Sequence, residues 1–286
     1  MSEADPTTDS ATTCYRHPDR RAGVRCQRCD RHICPSCMNT ASVGFHCPEC
    51  FKAGSQQVRS GASMFHRRPV VTQTLIAINV LVFLVGGAMG DGVMGGIDRD
   101  GLLVRGSLHA GFIADSNDWY RVFTSGFLHY GLLHLAFNMY ALWILGPQSE
   151  RSLGGVRFGL VYAVALVGGS LGALIDAPLV LTAGASGAIY GMFGLTAINM
   201  RSLGISVWES GLGPILLLNF FLTFRVSGIS VGGHVGGFIA GLAAGWLLYE
   251  LPRRKRLPKR FQEAVLVAAL VAGLVASLAV SNAAIS

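Results

Sequence analysis

Charge is scarce in this chain. Asp, Glu, Lys and Arg make up 14% of its 286 residues, against about 25% in an ordinary soluble domain. With 51% hydrophobic residues and a mean hydropathy of +0.47, that shortage excludes a typical soluble enzyme and points to a membrane protein. Cysteine is missing from every position after Cys50, so thiol chemistry is confined to the N-terminal segment. Residues 1–13 lack any apolar run; they are polar and acidic, without the hydrophobic core of a signal peptide. The N-terminal region is therefore expected to stay in the cytosol, with a disordered start (1–13) followed by reduced thiols.

What the chain has in quantity is apolar sequence. Seven segments, 70–89, 122–145, 157–175, 183–200, 211–224, 231–250 and 264–282, read as helical spans of a hydrocarbon core about 30 Å thick. The fifth is short and opens with Gly211-Leu212-Gly213-Pro214. Much of the net charge of +7 lies in Arg67-Arg68 before the first span and in Arg253, Arg254, Lys255, Arg256, Lys259 and Arg260 after the sixth. Basic residues at span ends stay cytoplasmic. Both clusters then agree with an N-terminus inside, six crossings between them, and a seventh span that leaves the C-terminus outside. The same residues suit a layer of lipid headgroups, and they give no reason to expect a nucleic acid.

The seven cysteines form Cys14-x2-His17, Cys26-x2-Cys29, Cys34-x2-Cys37 and Cys47-x2-Cys50. Each two-residue gap lets both side chains reach one metal, and the eight ligands suffice for two tetrahedral zinc ions with no open position for catalysis. So small a segment takes most of its folding energy from the metal. Disulfides are the alternative, which a reducing cytosol disfavours. The order of pairs resembles B-box-type zinc fingers, which are cross-braced. That resemblance implies one site from Cys14, His17, Cys34 and Cys37 and another from Cys26, Cys29, Cys47 and Cys50. Sequential pairing also fits the spacing, and His32 and His46 are spare ligands, His46 as a substitute for Cys47. A regulatory role, or a cytosolic protein partner, is expected of residues 14–50. Residues 51–68 read as a linker.

Polar residues inside apolar spans are costly unless paired or used. The second span holds His129-x4-His134-x3-Asn138. His134 and Asn138, four apart, share a helical face, while on a regular helix His129 would sit about 140° from His134. The fourth opens with Gly184-Ala185-Ser186-Gly187, and Ser186, Tyr190 and Gly194 fall on one face. The sixth carries His234, Gly237 and Gly241 on one face. Glycine faces let helices approach closely, leaving room for Tyr190 to stack on His234. A serine nucleophile and a histidine base held together within the bilayer are the expected chemistry.

These three motifs, with Gly184-x-Ser186-Gly187-x2-Tyr190-Gly191 and His234-x2-Gly237-x3-Gly241 in order, resemble those of the rhomboid intramembrane serine proteases. The resemblance covers residues 69–250. It implies an all-α polytopic membrane protein: a six-helix rhomboid bundle, a basic cytoplasmic loop (251–263) and a seventh C-terminal transmembrane helix (264–286), preceded by the small cytosolic zinc-binding domain. It further implies that Ser186 is the nucleophile and His234 the general base, with no cofactor. Asn138, His134 and the Ser186 backbone N–H would form the oxyanion hole, Tyr190 would orient His234, and His129 would be structural. Acidic residues are scarce between 122 and 250, and Glu150 and Asp176 read as loop or helix-end residues, in keeping with a dyad. In the first external loop, Trp119-Tyr120-Arg121 departs from the family's adjacent Trp-Arg. The implied substrates are transmembrane proteins within the lipid bilayer. A catalytically inactive, client-binding relative is the alternative. A transporter would show buried charges or repeated halves, and neither is visible.

Overall fold

The computed structural model describes residues 12–41, 43–54, 68–92, 94, 96, 98–255 and 257–286. Residues 1–11 of the expected disordered start and 55–67 of the expected linker lie outside those described, as do Arg67 and Arg256 of the basic clusters. The chain divides into two units, Met1–Ser63 and Met64–Ser286.

The first unit contains two small hairpins and a short helix. Strands β1 (Val24–Arg25) and β2 (His32–Ile33) pair antiparallel, as do β3 (Asn39–Thr40) and β4 (Phe45–His46). Between β1 and β2 the chain turns through Asp30, whose φ is 58°. Thr13 bridges Arg21, and helix α1 (Pro48–Gly54) carries the unit past Cys50. The core is little more than Ala22, Ile33 and the buried cysteines. That is too little apolar surface to hold a fold alone.

The second unit is helical. Its long helices are α2 (Val70–Ala88), α6 (Leu132–Leu153), α7 (Gly155–Asp176), α8 (Ser186–Ser202), α9 (Leu212–Arg225), α10 (Val231–Gly245) and α11 (Lys259–Ile285). A π turn, Trp246–Glu250, continues α10 to Arg254. Three short helices fill the loop after α2 and its exit: α3 (Leu102–Gly106), α4 (Ala110–Ser116) and α5 (Arg121–Thr124). Each of the seven apolar segments therefore holds a helix, but they are not seven equal spans. Four helices are long and apolar enough to cross a membrane, five if the bent pair Arg121–Phe127 and Leu132–Leu153 counts as one.

Two corrections follow. The second segment is not one helix from 122: the chain bends by 93° between a 3₁₀ turn at Ser125–Phe127 and α6. His129 lies in that break and not on the helix, so the expected angle between it and His134 does not apply. The reason is local: Gly131 adopts φ 83° and starts α6 afresh. The fourth and fifth helices have 17 and 14 residues, about 25 Å and 21 Å of rise. The fourth begins only at Ser186, after a loop at 181–184 that backbone hydrogen bonds tether to Leu108 and Ser125.

Helix α7 lies at the centre; 56% of its apolar window is buried, against 17% for α2 and for α11. It packs on α10, α8 and α11, while α2 packs on α6. The C-terminal α11 also reaches the loop helix α4. Glycines decide how closely α10 sits. A methyl at Gly236 would stand 2.3 Å from the Gly168 carbonyl of α7, and one at Gly241 would stand 1.9 Å from the Gly191 carbonyl of α8. Thus α10 is a wedge with a glycine face toward each neighbour, and the backbones touch without side chains between them.

Two carboxylates hold helix starts. Glu150, buried on α6, accepts from the backbone N–H of Val71 and Thr72 and from the Thr72 hydroxyl, at 2.8–2.9 Å. Asp176, ending α7, accepts from Gly232 N–H at 3.0 Å. Anions at helix N-termini complement both unpaired N–H groups and the helix dipole.

Candidate active site

Ser186 is the first residue of α8. The segment before it is fixed from three directions. Leu108 and Thr182 exchange backbone hydrogen bonds at 2.9 and 3.0 Å, Tyr130 Oη donates to Leu181 O at 2.8 Å, and Gly184 N–H donates to Ser125 O at 2.9 Å. Gly184 has φ 137°, a conformation that L side chains rarely adopt. Any methyl there would also meet His134 Nε2 at 2.9 Å and Ser186 Oγ at 3.6 Å. His134 therefore lies against the turn that delivers Ser186.

His234 stands one turn into α10 and is 7% exposed. Its neighbour Gly233 places its carbonyl 3.3 Å from where a Gly187 methyl would be, and a Gly237 methyl would fall 1.9 Å from Gly187 O. The helix carrying the serine and the helix carrying the histidine thus meet at Gly187 and Gly237. Tyr190, one turn along α8, stacks on His234 with ring centroids 3.9 Å apart and planes 15° from parallel. Ser186 and His234 do not hydrogen-bond to each other in this structure; such pairs are often looser before substrate is bound.

Asn138 follows His134 by one turn of α6. It is buried, and its amide nitrogen has no hydrogen-bond partner. A buried orphan donor costs free energy unless a ligand or water satisfies it. His129 is buried with neither ring nitrogen partnered, its ring edge-on to that of His134 with centroids 5.0 Å apart. No hydrogen-bonded network surrounds it among the described residues. Arg121 is buried, paired with Asp118 at 2.9 Å, and donates to the carbonyls of Val104 and Ser107 at 2.7 and 2.9 Å. Its guanidinium also lies 4.3 Å from the Phe112 ring centroid. This one side chain knits α3, α4 and α5 together. Trp119 and Tyr120 beside it are exposed, as aromatics at a membrane–water boundary are.

Sequence reasoning missed one close contact. Thr223, on α9 and buried, places its hydroxyl 2.8 Å from His234 Nδ1 and 2.7 Å from Tyr190 Oη. A lone threonine in the least regular apolar segment carries no pattern that would have marked it. The α7 glycines Gly168 and Gly172 were also missed, although their spacing of four was visible.

Residues 116–251 match the family model described as the Rhomboid domain. The chain carries a rhomboid domain. Rhomboid protease GluP of Bacillus subtilis (strain 168) is 34% identical over 183 residues, 63% of this chain and 35% of GluP. A second Bacillus subtilis protein, YdcA, is 42% identical over 81 residues, 28% of this chain and 41% of YdcA. RHOMBOID-like protein 6, mitochondrial, of Arabidopsis thaliana is 28% identical over 115 residues, 40% of this chain and 37% of the relative. The chain thus spans roughly two fifths or less of these relatives' lengths. The rhomboid domain makes this an integral multi-pass membrane protein. Ser186, Tyr190, His234, His134 and Asn138 all lie within the matched stretch; the cysteine-rich unit lies outside it.

In that unit all seven cysteines are free thiols in this structure. The ligand atoms gather as Cys14, His17, Cys34 and Cys37, and as Cys26, Cys29, Cys47 and Cys50, each set within 4.8 Å. That is the alternating grouping, not the sequential one. His32 and His46 belong to neither set. Sulfurs about 2.3 Å from one tetrahedral zinc stand about 3.8 Å apart. Cys29 and Cys47 sulfurs are 3.7 Å apart, and His17 Nδ1 lies 3.9, 3.5 and 3.4 Å from the sulfurs of Cys14, Cys34 and Cys37. Desolvation pushes the Cys14 and Cys26 thiols up, but hydrogen bonds from nearby backbone bring each down to about 6. Cys37 is pushed up to about 11 by desolvation and by the Cys14 and Cys34 thiols. Cys50 is pushed up to about 12, chiefly by Cys47 and Cys29. Thiols this crowded cannot all ionise without a cation among them, so the donor set fits zinc.

Proposed function

We propose that the rhomboid domain is an intramembrane serine endopeptidase with a Ser186–His234 dyad. The observation that supports this reading is the close meeting of α8 and α10 at Gly187, which follows Ser186, and Gly237, one turn past His234, with the His234 ring stacked on Tyr190. The substrate would be a transmembrane protein cut in or beside its spanning helix.

His234 takes the Ser186 proton as the hydroxyl oxygen attacks the peptide carbonyl. The negative oxygen that forms is met by Asn138, His134 and the Ser186 backbone N–H. One such donor is worth about 3 kcal/mol in the transition state. His234 then returns its proton to the leaving amine. Water, activated by the same histidine, resolves the acyl-enzyme. A helical substrate must unwind before its carbonyl is reachable, so Gly or Pro near the cut lowers the cost.

The N-terminal unit would hold two structural zinc ions, through Cys14, His17, Cys34 and Cys37 and through Cys26, Cys29, Cys47 and Cys50. The metals would supply folding energy and no chemistry. Its B-box-like character, a cytosolic protein partner and a cytoplasmic N-terminus, with the C-terminus outside, belong to the same proposal.

The test is cleavage of a single-span substrate in liposomes. Wild type is expected to cut, and Ser186→Ala and His234→Ala are expected not to, with folding intact. Wild type that binds but never cuts a panel of such substrates would instead favour a client-binding protein without activity.

A further inference from the structure

We infer that Thr223 is a positioning residue that fixes the tautomer of His234, doing for this dyad what a carboxylate does in a triad. The inference rests on the dyad reading above. A neutral imidazole carries one proton, and His234 can act as base toward Ser186 through Nε2 only if that proton sits on Nδ1. No carboxylate hydrogen-bonds to His234 among the described residues. The partner of Nδ1 is the Thr223 hydroxyl at 2.8 Å.

A hydroxyl has one hydrogen and two lone pairs. Thr223 Oγ1 has three neighbours: Asn219 O at 2.8 Å, Tyr190 Oη at 2.7 Å and His234 Nδ1 at 2.8 Å. The Asn219 carbonyl can only accept, so it takes the single threonine proton. Any other assignment leaves two oxygen lone pairs facing each other at 2.8 Å. Both lone pairs of Thr223 must then receive hydrogens. Tyr190 supplies one from its hydroxyl, and His234 supplies the other from Nδ1–H. Nε2 is left bare for the serine proton. When His234 becomes an imidazolium, Nδ1–H still donates to Thr223, so the same contact serves both charge states. Tyr190 acts twice, stacking on the ring and saturating the threonine that orients it. Thr223 is 2% exposed, so no water replaces it.

The contact also ties the base to α9. Among the described residues, Thr223 carries the hydrogen bonds that join this 14-residue helix to α8 and α10. Displacing α9 breaks the bond to Nδ1 and releases the tautomer.

The experiment compares Thr223→Val, which keeps the shape and deletes the hydroxyl, with Thr223→Ser, which keeps the hydroxyl. The first readout is independent of cleavage. Ring-nitrogen NMR of ¹⁵N-histidine protein in a Ser186→Ala background, with His234→Ala assigning the signal, should show His234 protonated at Nδ1. Adding Thr223→Val should move the proton to Nε2, and adding Thr223→Ser should leave it on Nδ1. The second readout is kinetic: Thr223→Val should lower kcat about 10- to 100-fold with KM within about twofold, and Thr223→Ser should restore most of it. His234 protonated at Nε2 in the Ser186→Ala protein, or kcat unchanged in Thr223→Val, overturns the inference while leaving the dyad standing. If wild type fails to cut any substrate, the protease reading fails, and the NMR result still decides the role of Thr223.

Discussion

Gly237→Ala probes how much of the site depends on bare backbone contact. The added methyl would stand 1.9 Å from Gly187 O and 2.6 Å from Gly187 C, where ordinary contact begins at 3.4 Å. These are backbone atoms and cannot rotate aside, so α8 and α10 must part by about 1.5 Å at that level. Gly187 follows Ser186 directly, and Gly237 is three residues from His234. A misplacement of about 1 Å between reacting groups costs on the order of 100-fold in rate. Overpacking costs about 1–3 kcal/mol, and alanine returns about 1 kcal/mol of helix propensity over glycine. The variant should therefore fold, melt a few degrees lower at most, and lose about 100-fold in kcat. Gly159→Ala is the control: its methyl would meet only Val71 Cγ1 at 3.9 Å, so stability and cleavage should both be kept. The assay is liposome cleavage kinetics beside thermal melts of both variants. Wild-type kcat in Gly237→Ala with an unchanged melt would refute the reasoning.

Three further outcomes are expected. Asn138→Ala should lower kcat by about 100-fold at unchanged melting temperature, because the lost amide nitrogen has no ground-state partner; a large drop in stability would mark it as structural instead. Arg121→Ala should destabilise the rhomboid domain by about 3 kcal/mol, since Asp118 is left half-buried without its partner; denaturant unfolding that matches wild type would show that the loop does not need it. Chelation, or Cys34→Ser, should abolish the fold of the N-terminal unit, read by loss of dispersed amide signals and their return on adding zinc; a chelated unit that stays folded would contradict a structural metal.

How much of this was legible in the sequence depends on whether one residue type in one period carries the information. The knuckle spacing gave eight ligands and left their pairing open; the resemblance to cross-braced fingers implied Cys14 and His17 with Cys34 and Cys37, and the fold groups them that way. Helical periodicity placed Tyr190 with Ser186 and His134 with Asn138, because those pairs lie within single helices. It failed at His129, where Gly131 ends one arrangement and starts another. Hydropathy found seven apolar helices but not their exact limits, because it reads composition and not where a tethered loop such as 181–185 ends and a helix begins. Glu150 read as a helix-end residue; its work is to cap α2, 78 residues away in sequence from Thr72. Thr223 was invisible for the same reason, since its meaning comes from two other helices.

The central claim is that Ser186 is made nucleophilic by His234. The most direct measurement is covalent labelling with a fluorophosphonate, followed by mapping of the adduct by mass spectrometry. The account predicts one adduct, on Ser186, in wild type and none in His234→Ala of equal fold. Labelling at another serine, or undiminished labelling of Ser186 in His234→Ala, would contradict it.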